Sequence, residues 1–360
     1  MMNKMNLNEK LKCPLLKYPE NYNPDSLDLE NNPEAREYWL DCLDQMAKKF
    51  VGKVKDLQPD DPSATEKAEE CYREFHTLIE KVTDDSEFLK PLSIRTLLNY
   101  NDDCIRRRFK DPWERQKKME NSIALSKFKS RIDVLDSKTD LKDKWLDIIR
   151  GVLAGNFFDW AAKAVKDILE NRHDFGFEEA ATTVQKRPWF VDKFDEFYNR
   201  LETRRYEKCV IFLDNSGIDF ILGILPLVRE LLSQGTEVIL AANTYPTLND
   251  ITYSELNIYC DRAAKYCEIL KGGLDNGKLI TAENGQKGPC LDLSVLSAEL
   301  CELMKSVDLI IIEGMGRAIH TNINTKFTVD CLKLSVIKNE WLARYMGTKL
   351  FGIICDFDST

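Results

Sequence analysis

Four stretches of the chain place polar residues directly after short apolar runs. They are Asp214-Asn215-Ser216-Gly217-Ile218-Asp219, the segment from Asn243 to Asn249-Asp250, Glu313-Gly314-Met315-Gly316-Arg317, and Asp356. One such acid means little, because Asp commonly caps helices and starts turns. Four at the ends of neighbouring strands would gather Asp214, Asp219, Asp250, Glu313 and Asp356 at one edge, where they would repel one another strongly. A divalent cation removes that penalty. Oxygen donors without His or Cys companions favour a hard ion such as Mg²⁺, with Mn²⁺ or another first-row metal such as Co²⁺ or Ni²⁺ also accommodated. Such an ion polarises a phosphoryl oxygen and can lower the pKa of bound water. Arg317 could meet the remaining phosphate charge with a bidentate guanidinium.

The elements that must position these residues follow from the hydrophobic rhythm. After Leu201, short β-branched and aliphatic runs alternate with helical stretches, the pattern of strand-helix-strand units in a parallel sheet. Strands are expected at Cys209 to Leu213, Glu237 to Ala241, Lys278 to Thr281, Leu309 to Ile312 and Leu350 to Cys355. Helices are expected near Phe220 to Ser233, Ser254 to Cys267, Ser294 to Lys305 and Val329 to Leu342. In such sheets ligands bind at the carboxyl ends of the strands, where helix N-termini point outward. From Pro33 to Leu201 the spacing is helical instead, as in Tyr38, Cys42, Met46 and Phe50. The expected architecture is α/β: a helical N-terminal lobe over 1–200, packed on a three-layer α/β/α lobe over 201–360 with a mostly parallel sheet that carries the metal.

Composition narrows the function. A net charge of −9, spread along the chain, argues against a nucleic-acid partner. The basic run Arg106-Arg107-Arg108 with Lys110 reads as a solvated helix face. Among the 11 cysteines there is no C-x-x-C pair, which speaks against zinc and for a reducing compartment. No apolar run has the ~20 residues a membrane helix needs, so a cytoplasmic protein without a membrane partner is expected. The loop DNSGIDFILG lacks G-x-G-x-x-G, and there is no G-x-x-x-x-G-K-[ST], G-x-S-x-G or H-E-x-x-H. Dinucleotide, P-loop, serine-esterase and zincin chemistry therefore lose support.

The D-N-S-G segment, the run A-N-T-Y-P-T-L-N-D ending at Asp250, and E-G-M-G-R, taken in order, resemble the damage-control metal phosphatases (DUF89). The branch most resembled contains stand-alone plant proteins and the phosphatase domain fused to some pantothenate kinases. Lys110-Asp111-Pro112-Trp113, Gly155-Asn156-Phe157-Phe158-Asp159 and Arg187-Pro188-Trp189-Phe190 extend the resemblance over nearly the whole chain. It implies Asp214, Asn215 and Asp250 as metal ligands and a small phosphate ester as substrate, for this branch 4'-phosphopantetheine or its damaged forms. Asp214 and Arg317 are the expected catalytic groups, and Asp219, Asn243, Glu313, Arg317, Lys349, Asn156 and Asp159 the expected substrate contacts. Two mechanisms stay open, a metal-activated water and direct attack by Asp214. A non-catalytic phosphometabolite sensor and a carboxyl methyltransferase are the alternatives to a phosphatase. Removing Asp214 or Asp250 is expected to abolish activity and spare the fold, since it relieves repulsion.

Overall fold

Residues 10–157, 177–184 and 186–360 are described by the structure, a computed structural model. After a two-residue strand β1 (Lys10–Leu11), five helices follow: α1 (Pro33–Leu57), α2 (Ala64–Asp84), α3 (Ile94–Arg106), α4 (Glu114–Asp136) and α5 (Leu141–Asn156). Their starts are capped locally. The Asn32 side chain accepts from the Ala35 backbone N–H ahead of α1, Ser93 and Thr96 form a capping box on α3, and the Asp140 side chain accepts from the Asp143 N–H on α5. In α1 the buried residues Trp39, Leu40, Leu43 and Ala47 lie on one helical face. This stripe packs with α2 and α3 against Ile337, Trp341 and Ile354, which come from the other end of the chain.

Beyond α5 come α6 (Phe177–Thr183), β2 (Val191–Asp192), α7 (Phe194–Thr203), β3 (Lys208–Phe212), α8 (Leu225–Ser233), β4 (Glu237–Ala242), α9 (Tyr253–Ala264), α10 (Glu268–Asp275) and β5 (Leu279–Glu283). The chain closes with β6 (Leu296–Ser297), α11 (Ala298–Met304), β7 (Leu309–Glu313), β8 (Asp330–Val336), α12 (Glu340–Met346) and β9 (Ile353–Asp358). Seven strands form one sheet in the order β2-β9-β8-β7-β3-β4-β5, parallel except where β9 runs antiparallel to β8. β1 pairs with β6 instead. Alternate residues of the central strands face opposite layers. Cys209, Ile211 and Leu213 meet the α5 and α8 side, whereas Val210 and Phe212 meet the layer of α11 and the N-terminal segment. The α/β architecture with a mostly parallel sheet is thereby the one expected.

The stretch Val329 to Leu342, expected to be helical, is in large part β8. Asp330 and Lys333, three apart, resemble one face of a helix, yet every residue of β8 is buried in the sheet. Both charges are satisfied there. Asp330 accepts from Arg200 Nε at 2.7 Å and the Tyr206 hydroxyl at 2.8 Å, and Lys333 Nζ donates to the carbonyls of Ile323 and Thr325 at 3.0 and 2.9 Å. The last strand also begins later than expected, at Ile353.

β3 is the switch point of the sheet, since the chain moves to β4 and β5 on one side and to β7 and β8 on the other. The crevice at the carboxyl ends of β3 and β7 is where α/β sheets bind ligands.

Candidate active site

Asp214 follows β3 and is held by contacts from three elements. Its backbone N–H donates to Glu313 Oε2 at 3.1 Å, and its Oδ2 accepts from Asn156 Nδ2 and Asn215 Nδ2, both at 3.1 Å. Its Oδ1 accepts from Arg317 Nη1. The close approach of β7 depends on Gly314, whose φ is +102° and where a Cβ would come to 2.4 Å from Asp214 Cγ. E-G-M-G-R is therefore a steric requirement of Asp214 as well as a source of side chains.

Asp250 arrives from the long connection after β4. An isolated bridge pairs Asn215 with Asp250, and the Ile251 N–H donates to the Asp214 carbonyl at 3.0 Å. Asp250 Oδ2 accepts from Asn243 Nδ2 at 3.1 Å and from Arg317 Nη2 at 2.6 Å. Arg317 sits in a π-helical turn, Met315–Ile319, a distortion common at functional sites. Burial disfavours its charge, but Asp250 and then Asp214 hold the guanidinium above its ordinary pKa.

A second layer of acids stands behind this pair. One oxygen each of Asp214, Asp219 and Glu313 lies within 4.8 Å of the others. Glu313 is fully buried, and burial, then Asp219 and Asp214, push its carboxyl well above the usual range. Asp219 is raised in the same way, by burial first and the Asp214 charge second. Two carboxyls so placed hold a proton between them more readily than they ionise together. Asp219 Oδ2 accepts from Asn215 Nδ2 at 2.9 Å, while its buried Oδ1 faces no donor. Both amide hydrogens of Asn215 are thus spent on Asp214 and Asp219, which leaves the amide oxygen for a cation.

The helical first half of the chain reaches in through Asn156, the last residue of α5. Its Nδ2 donates to Glu313 Oε1 at 2.6 Å, its Oδ1 accepts from the Val336 N–H at 3.2 Å, and its carbonyl accepts from Lys338 Nζ at 2.7 Å. Asn121 of α4 adds a contact, its Oδ1 accepting from the Gly217 N–H at 2.7 Å.

In front of the acids lies a cavity of about 690 Å³. Asp214, Asn215, Asp250 and Lys338 lie on its polar end, while Trp39, Met46 and Phe50 of α1 form an apolar wall. Of the expected substrate contacts, Asp219, Asn243, Glu313, Arg317 and Asn156 are gathered at the site but buried behind Asp214, Asn215 and Asp250. Asp159 lies outside the described residues. Lys349 is exposed in the turn before β9 and does not line the cavity. Lys338, just past β8, does line it, as do Lys49 and Lys53 of α1, and the expected helix over Val329 to Leu342 concealed Lys338. Asp356 is absent from the cluster because antiparallel β9 carries it to the far edge, where Lys193 Nζ meets it at 2.7 Å. The basic run at Arg106 to Arg108 is consumed by ion pairs with Asp103, Glu70 and Glu74.

A divalent metal fits this donor set. The groups facing the cavity are oxygen donors from two carboxylates and an amide, with unsatisfied carboxylate oxygen close behind at Asp219. Asp250, Asn215 and Asp214 converge through the Asn215–Asp250 bridge without any Cys or His that would select a softer ion.

Comparison with known proteins agrees with this geometry. The sequence pattern of the damage-control phosphatase ARMT1-like domain matches residues 39–353. A 4'-phosphopantetheine phosphatase of Mus musculus is 36% identical over 96% of this chain, which spans about half, 48%, of that protein. A damage-control phosphatase of Arabidopsis thaliana is 37% identical over 69% of this chain and 68% of its own length. In structure, a DUF89 family protein from Pyrococcus horikoshii shares the fold with a TM-score of 0.61 over 88% of this chain and 96% of its own, at 18% identity. Among the described residues no helix is long and apolar enough to cross a membrane.

Proposed function

Because the chain belongs to the damage-control phosphatase ARMT1-like family, we propose that it is a metal-dependent phosphomonoester hydrolase acting on small phosphometabolites. One observation carries this reading: Asp214, Asn215, Asp250 and Lys338 share one end of a 690 Å³ cavity. Asp214, Asn215 and Asp250 would hold the ion, which when bound supplies Lewis-acid polarisation of the phosphoryl group and an acidified water. The native ion is one of Mg²⁺, Mn²⁺, Co²⁺ or Ni²⁺.

The chain's own groups then divide the work. Lys338, tethered by the Asn156 carbonyl, presents positive charge to the phosphoryl oxygens as negative charge grows on them in the transition state. Glu313 anchors the Asp214 backbone, and Asp219 orients Asn215. Asp214 has both oxygens hydrogen-bonded, Oδ1 by Arg317 and Oδ2 by Asn156 and Asn215, which blunts its nucleophilicity and disfavours in-line attack.

For the substrate we favour 4'-phosphopantetheine or its damaged forms, supported by the mouse relative's name and by the apolar α1 wall beside the polar end of the cavity. A compact sugar phosphate would leave that wall uncovered. The reading divides the chain into a helical lobe over 1–200 and a catalytic lobe over 201–360, and assigns it to the reducing cytoplasm in keeping with its eleven free cysteines. The test is phosphate release from a phosphoester panel headed by 4'-phosphopantetheine, run with each of the four ions. Release that needs an ion supports the reading. No release with any ion refutes it and leaves the sensor.

A further inference from the structure

Arg317 is a buried cation paired with two acids of the site, and it does not line the cavity. It is 1% exposed and absent from the cavity wall, whereas Asp214 and Asp250 are on that wall. Its guanidinium fork takes one oxygen of each, Asp214 Oδ1 and Asp250 Oδ2, and its Nη1 donates also to the Pro289 carbonyl at 3.2 Å. The backbone beneath it is fixed as well. The Arg317 carbonyl accepts from the Thr321 hydroxyl at 3.0 Å and Asn322 Nδ2 at 2.9 Å, and a Cβ on neighbouring Gly316 would meet the Pro289 carbonyl at 2.4 Å.

We infer that Arg317 is a positioning residue that sets the metal site from behind: its fork fixes the rotation of both carboxylates, so that the cavity receives a preformed pair of ligands. This assignment rests on the metal-site reading above and reverses the expectation that Arg317 grips phosphate. The physical case has two parts. A carboxylate bonded in its plane by a guanidinium has its rotation fixed, and groups that orient ligands in this way govern metal affinity. In addition, Asp214 stands within 4.8 Å of two further acids. The fixed rotation of Asp214 therefore also decides whether an ion meets it beside Asp250 or beside those acids. Lysine, a point charge on a flexible stem, cannot serve two carboxylates with a planar fork.

The experiment is calorimetric titration of the full chain with Mn²⁺, wild type against Arg317→Gln and Arg317→Lys, followed by inhibition by inorganic phosphate at saturating Mn²⁺. The assignment predicts Mn²⁺ affinity weakened by about 10- to 100-fold in Arg317→Gln, a smaller loss in Arg317→Lys, and phosphate inhibition unchanged within about twofold once the metal site is filled. If Arg317→Gln does not fold, the Lys variant decides alone, with a metal affinity measurably below wild type and an unchanged phosphate constant. Metal affinity equal to or above wild type overturns the assignment, as does phosphate inhibition weakened with metal binding intact. Failure of the wild-type chain to bind Mn²⁺ overturns the metal-site reading and this assignment together.

Discussion

Asn156 Nδ2 donates to Glu313 Oε1 at 2.6 Å, so the last residue of a helix in the first half of the chain closes onto the end of the central strand β7. The same amide bonds Asp214, and its carbonyls receive Val336 N and Lys338 Nζ. One side chain thus ties α5 to β3, β7 and β8.

Asn156→Leu keeps approximate volume and removes the three side-chain bonds, leaving Glu313 Oε1 and the Val336 N–H without the Asn156 partner in a buried setting. Each orphaned group costs about 1–3 kcal/mol. Urea unfolding should show a loss in that range or somewhat above it, with turnover lowered at least tenfold as Asp214 loses a restraint. An unchanged unfolding midpoint would show that α5 is held to the sheet by packing alone.

Gly314→Ala tests the approach of β7 to Asp214. The new Cβ must avoid Asp214 Cγ at 2.4 Å, and φ of +102° is itself costly for alanine. A displacement of the Asp214 carboxylate by even ~1 Å is expected to reduce kcat/KM by about 10²-fold. Activity within threefold of wild type would mean that Asp214 does not need this position.

Asp250→Ala removes a partner of a buried guanidinium. Read from sequence, the acids form an uncompensated cluster whose thinning should spare the fold. The structure supplies Arg317 as their counter-charge, so the removal leaves a buried guanidinium with Asp214 as its remaining carboxylate and should destabilise the metal-free protein by up to about 3–5 kcal/mol. Chemical denaturation of the chelated protein measures this, and a variant as stable as wild type would contradict the pairing.

Asp102 of α3 is fully buried and accepts from the Thr247 hydroxyl, on the connection that carries Asp250. Burial pushes its carboxyl up to about 7, against the lowering effects of Thr247 and Arg106. The folded chain therefore holds a proton that the unfolded chain has released between about pH 4 and 7. The stability this contributes is full below the ordinary carboxylate pKa and is lost as pH rises through 7. Asp102→Asn should gain on wild type between pH 5 and pH 7.5 in denaturant titrations. A pH-independent difference between the two would place the Asp102 pKa elsewhere.

Much of this site was legible in the sequence because parallel strands announce themselves. The buried runs at β3, β4 and β7 each end in polar residues, and Asp214, Asn215, Asp250, Glu313 and Arg317 do converge. Strand direction was not legible: nothing local shows that β9 turns antiparallel, which is why Asp356 leaves the cluster and pairs with Lys193. Lys338 was hidden because β8 carries two buried charges, whose partners Arg200, Tyr206 and the carbonyls at Ile323 and Thr325 come from elsewhere in the fold. Whether a side chain faces the cavity or stands behind its neighbour, the difference between Lys338 and Arg317, depends on tertiary packing alone.

The central claim is that Asp214, Asn215 and Asp250 hold the metal. Anomalous diffraction from crystals of the protein grown with Mn²⁺ tests it most directly. The account predicts a single strong peak at the polar end of the cavity, within coordination distance of oxygens from all three residues. A peak enclosed instead by Asp214, Asp219 and Glu313, or none at saturating Mn²⁺, would contradict it.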